Sequence, residues 1–203
     1  MTKRVVLALI ANLLFGTAAG WARAVDANPT LRVAVSDQTR LKQDTLDRAL
    51  GQVTWIFRRA GVSIEWTDSV KAAHKSLAPS FTLIVLERQL REIQDGGRLL
   101  LGLAPRDGTR SAKVAYVFME PIEYLSDVHA VDAAMILAHA IAHELGHLLM
   151  PARLHAASGL MDGNWGGSEI RAATWGQQTF SDEEAALIRR ALATDRAAVL
   201  ARR

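Results

Sequence analysis

The stretch from Met135 to Met150 constrains this 203-residue chain more than any other part of it. It reads as a helix, apolar on most sides, that must stop at Pro151, because the residue before a proline avoids the helical region. On it lie His143, Glu144 and His147, the pattern HExxH. Positions four apart on an α-helix are separated by only about 40° around the axis, so both imidazoles face the same way. Two such imidazoles can grip one zinc ion at roughly 2.0–2.1 Å. Glu144 lies beside them, placed to reach a zinc-bound water without binding the metal. The pattern is that of zinc-dependent hydrolases, most often proteases.

The first residues read as an export signal. Lys3 and Arg4 give a positive start, Val5 to Leu14 is almost wholly apolar, and Ala22, Arg23 and Ala24 form a small-x-small cleavage pattern. The expected cut follows Ala24, leaving a single domain over residues 25–203. The apolar run is short for a membrane span, and three histidines and a glutamate argue against a span around Met135–Met150. Lys3, Arg4 and Arg23 account for the positive excess: without them 21 basic residues face 21 acidic ones. A neutral mature chain gives no case for nucleic-acid binding. There is no cysteine, which excludes disulfides and a thiolate zinc site. Export without disulfides suits a secreted or periplasmic bacterial protein.

Hydrophobic periodicity predicts a strand at Leu31–Val35, a helix over Lys42–Arg59 and strands at Val62–Trp66 and Phe81–Leu86. A weaker strand follows at Leu99–Leu103, then another at Val114–Met119. The long helix is expected to start after Ser126 and Asp127 and to run to about Leu149. Residues 151–179, rich in Gly and Ser, read as loop. Ser181 followed by Asp182, Glu183 and Glu184 signals a last helix through Leu200. A helix between the first two strands allows a crossover, so the expected fold class is α/β (α+β), one domain with a mixed twisted sheet.

Two histidines do not complete a catalytic zinc site, which takes three protein ligands and leaves one position open. The nearest candidate is His155, eight residues beyond His147, brought back under the metal by the break at Met150 and Pro151. Glu169, Glu183 and Glu184 are acidic alternatives, although the last two also suit a helix first turn. Six residues past His155, Gly159 and Met161 would set a methionine close below the site.

HExxH on a helix, a helix break, a third histidine and a methionine turn together resemble the metzincin zinc peptidases. His143, Glu144, His147, His155 and Met161 carry the resemblance, which is specific over residues 139–165. The run HELGHLLMPARLHAASGLM is most similar to a group of uncharacterised bacterial metzincin-like proteins. The resemblance implies a Zn2+ cofactor, Glu144 as the proton-transferring catalytic residue and Met161 as a hydrophobic floor. It also implies a peptide or protein substrate added to the sheet edge at Leu99–Leu103. The chain departs from the usual pattern where Met150 replaces a glycine and Arg153 the third ligand, so the loop must turn another way. No tyrosine follows the methionine turn to stabilise an oxyanion.

The expected function is therefore an exported zinc metalloendopeptidase. The alternatives are a zinc-stabilised binding module without turnover, a thermolysin-like hydrolase with an acidic third ligand, and a cytoplasmic HExxH regulator. His139 shares the face of the motif one turn earlier and reads as a core or second-layer group. His74 and His129 sit in polar stretches and are expected to face solvent. Trp55 and Trp66 fit the core, and Trp165 and Trp175 are expected to seal the lower loop or line a pocket.

Overall fold

In the computed structural model, which describes residues 28–68, 80–89, 99–105, 113–150, 155–176 and 178–201, alternating apolar segments form one five-stranded sheet. The proposed signal (1–24), His74 and residues 151–154, where the chain was expected to reverse, lie outside the described residues. The strands are β1 (Thr30–Asp37), β2 (Ser63–Thr67), β3 (Ser80–Leu86), β4 (Gly102–Leu103) and β5 (Val114–Phe118). Their order is β2-β1-β3-β5-β4. Pairings within β2-β1-β3-β5 are parallel, with Leu31 opposite Ile64, Val33 opposite Phe81 and Leu83 opposite Ala115. Only β4 is antiparallel, with Gly102 opposite Val117. The sheet is therefore mixed and the domain α/β.

Parallel strands need crossovers, and helices supply the cover. The helices are α1 (Gln43–Arg59), α2 (Met119–His129), α3 (Ala133–Leu149), α4 (Gly167–Thr174) and α5 (Asp182–Ala201). Helix α1 buries Leu46, Ala49, Val53, Ile56 and Phe57, the stripe its periodicity predicts. It ends at Ala60 and Gly61, where φ of +73° suits glycine, and Val62 N–H returns to the Phe57 carbonyl at 2.9 Å. Helix α5 starts with a reciprocal cap: Ser181 N–H donates to Glu184 at 2.8 Å and Glu184 N–H to the Ser181 hydroxyl at 3.3 Å.

Helix α3 is the centre of the molecule. It contacts α1, α2, α4, α5, β4 and β5, and buries every residue except Ala133, Met135 and Leu148. Ile136, Leu137, Ile141 and Leu145 are fully enclosed, each worth about 1.5–3 kcal/mol of apolar burial. Among the described residues no helix is long and apolar enough to cross a membrane.

Several expectations are corrected. Ser126 and Asp127 lie inside α2, and α3 begins separately at Asp132, whose carboxylate accepts from Ala134 N–H at 2.9 Å. Two helices replace one because Ala130 turns left-handed (φ 53°, ψ 46°) and redirects the chain. The 151–179 loop contains α4, whose short amphipathic pattern was hidden among glycines. The weak strand shrinks to Gly102–Leu103, the part with ladder partners. Trp55 and Trp66 are half-buried at the core's margin, where β2 is an edge strand and Trp66 donates to the Thr54 hydroxyl at 2.9 Å. His129 is half-buried, its ring against Gly167, not turned to solvent.

Ala130 is the one non-glycine residue with positive φ among the described residues, and it is exposed. Ala130→Gly should raise stability by about 0.5–1 kcal/mol, the relief of left-handed strain less the entropy of glycine. A higher urea midpoint with unchanged slope is the expected result.

Candidate metal centre

An enclosed helix carrying three histidines and a glutamate faces a desolvation cost unless those groups find partners. His139 is fully buried, and its Nδ1 donates to the Met135 carbonyl at 2.7 Å, a core role one turn away from the centre. His143 and His147, each 8% exposed, line an open cleft together with Glu144.

The His143 Nδ1 lies 2.8 Å from the Leu160 carbonyl, which can only accept. That atom must carry the ring proton, so Nε2 is left with a bare lone pair, the form a metal requires. The His147 Nε2 lies 2.9 Å from the His143 Nε2 and 3.2 Å from the His155 Nε2. Donor nitrogens of all three lie within 4.8 Å of one another. Two nitrogens bound at 2.0–2.1 Å to a tetrahedral ion stand about 3.3 Å apart, so the observed spacing fits a shared cation. These three histidines could hold a metal ion.

Burial, the largest effect, pushes the His143 pKa below its ordinary value, with the nearby His155 adding to the shift and the Leu160 hydrogen bond opposing it. His139 is lowered by burial as well. Both shifts favour the neutral imidazole, and for His143 the neutral ring is the ligating form.

The turn that follows supports α3 from below. Gly159 takes φ of +88°, Asp162 N–H reaches the Gly159 carbonyl at 3.2 Å, and Ala156 N–H donates to the Met161 carbonyl at 2.9 Å. Met161 is fully buried with its sulfur against Gly146, where a Cβ would come within 2.8 Å of it. Glycine at 146 thus lets the methionine reach the backbone one residue before His147. Met150 closes α3 in an extended conformation (φ −91°, ψ 144°) and is buried, so the chain leaves the helix without a left-handed residue there.

The cleft has a volume of about 460 Å³. One wall is Leu99–Ala104, including edge strand β4; the other side holds His143, Glu144, His147, His155, Asp162 and Trp165. Glu144, 7% exposed, lies against β4: a Cβ on Gly102 would meet its Cγ at 2.6 Å and its Oε1 at 2.9 Å. The carboxylate is therefore held between the histidines and the edge strand. Trp165 stands edge-on to the His143 ring at 6.4 Å and donates to the Asp162 carbonyl at 2.9 Å.

The acidic alternatives are engaged elsewhere. Glu169 caps α4, accepting from Gly166 N–H at 3.0 Å, and hydrogen bonds from its own backbone and Ser168 hold its carboxyl below the usual range. Glu184 caps α5, in whose first turn Glu183 also stands. Trp175 is 73% exposed and lines no part of the cleft. Sequence reasoning missed Gly102, Gly146, Gly163 and the Leu160 carbonyl, because none carries a functional side chain. No protein-family profile and no curated protein matches this chain.

The two depressed histidines make a pH prediction for the metal-free protein. Below the ordinary histidine value of 6.5 the unfolded chain binds protons that the folded chain refuses. Stability should be full above that value and fall as the pH drops beneath it, by at most about 1.4 kcal/mol per pH unit for each group. Urea titrations of chelator-treated protein on either side of that pH test the sign; a flat profile would contradict it.

Proposed function

We propose that this chain is an exported zinc-dependent peptidase of metzincin type. The convergence of three histidine Nε2 atoms beside a carboxylate, in a cleft walled by a sheet edge, carries the reading. Two further features support the metzincin comparison: the fully buried Met161 beneath α3, and a mixed sheet ending in an antiparallel edge strand.

His143, His147 and His155 would hold the ion, leaving a tetrahedral position open toward the cleft. A zinc ion held there supplies Lewis acidity to a substrate carbonyl and acidifies water. Glu144 then acts as the proton carrier. Its carboxylate, pressed against Gly102, accepts a proton from attacking water and returns it to the leaving amine. The tautomer of His143 is kept by the Leu160 carbonyl throughout. The substrate is a peptide or protein strand that adds to β4, whose far side has no ladder partner among the described residues. The leucines at 99, 100, 101 and 103 give this wall an apolar character that suits an extended, uncharged segment.

The test compares purified wild type with Glu144→Gln and His155→Ala for zinc content and for cleavage of a mixed peptide library. One zinc in wild type and Glu144→Gln is expected, with hydrolysis reduced about 10²–10⁴-fold in Glu144→Gln. His155→Ala should bind zinc far more weakly and lose hydrolysis. Zinc bound without any cleavage by wild type would favour the non-catalytic binding module; zinc retained in His155→Ala would reopen the acidic-ligand reading. Export has its own check: the secreted or periplasmic product should begin at Val25.

A further inference from the structure

His155 differs from the other two histidines in how it is held. His143 and His147 are fixed by a buried helix, whereas His155 is exposed and stands on a loop after the end of α3. What meets its ring from below is a bare backbone position. A Cβ built on Gly163 would lie 2.7 Å from the His155 Cγ, 2.7 Å from its Nδ1 and 3.0 Å from its Cε1. Real Cβ atoms do not approach that closely, so any side chain at 163 must displace the ring. Gly163 does not adopt positive φ, so its backbone conformation does not demand glycine. The need is for space alone.

We propose that Gly163 is the positioning residue that makes His155 a metal ligand. Its missing side chain forms the seat on which the imidazole lies, with the Nε2 brought 3.2 Å from that of His147. The Ala156–Asp162 bridge sets the distance between the two residues, because it pairs the neighbour of His155 with the neighbour of Gly163. The chain thus replaces a glycine that would turn the backbone after the helix with one that makes room for the ligand further along. Since His155 is exposed, a Cβ at 163 can drive the ring outward into water at little cost to the fold, and the loss falls on the metal. This inference rests on the three histidines forming one metal centre.

The experiment is a double-mutant cycle with zinc affinity, the visible spectrum of the cobalt-substituted protein and the unfolding temperature of the metal-free form as readouts. Gly163→Ala is expected to weaken zinc binding about 10–100-fold and to change the cobalt spectrum from its tetrahedral pattern. It should leave the metal-free unfolding temperature near that of wild type. Added to His155→Ala, the same change should have no further effect on affinity, since the ring it displaces is already gone. Unaltered affinity in Gly163→Ala, or a loss that adds fully to that of His155→Ala, overturns the proposal. If Gly163→Ala alone fails to fold, the double variant decides: recovery on removing the ring supports a steric pair, and continued failure refutes it. Wild type that binds no zinc would instead refute the metal centre itself.

Discussion

Every other feature of this domain answers to the burial of α3. A helix packed on almost all sides contributes more buried apolar residues to the core than any other element, yet it carries groups whose charged forms are costly away from water. The chain meets this by separating them along the helix. His139 is enclosed one turn earlier, its Nδ1 bonded to its own helix backbone, while His143, Glu144 and His147 line the cleft. The cleft is thus a product of the core: among the described residues, it is where the sheet edge and the lower loop stop short of closing over the helix. Neutral imidazoles are cheap to bury, and burial itself keeps them neutral, so packing and ligation favour the same protonation state.

Close approach is the second theme, and glycine provides it three times. At Gly102 the edge strand comes up to the carboxylate, at Gly146 the helix backbone receives a sulfur, and at Gly163 a loop receives an imidazole. In each case the neighbour occupies the volume of an absent methyl group. The centre is therefore shaped as much by side chains left out as by those present.

That explains what could be read in advance. The five strands, the first and last helices and the stop near Leu149 follow from periodicity and punctuation, which depend on local chemistry. His143, Glu144 and His147 were legible because a helix fixes their relative directions. His155 was legible only as the nearest histidine, and its arrival depends on tertiary contacts with Gly163. The left-handed Ala130 was not legible, because alanine gives no warning of such a conformation; it divides what periodicity reads as one helix. Helix α4 was obscured by flanking glycines and serines. A glycine that serves a turn and one that makes room for a ring look the same in a sequence.

The prospective ligands all come from residues 143–155, two from the end of α3 and one from beyond it. An ion there would close only a short segment, and short closures remove little chain entropy from the unfolded state. The strands and the other helices supply none of the three ligands. Loading and unloading the ion would then be a local event on a scaffold that stands by itself, with occupancy governed by the surrounding metal supply and not by refolding. This would separate the moment of folding from the moment of becoming competent.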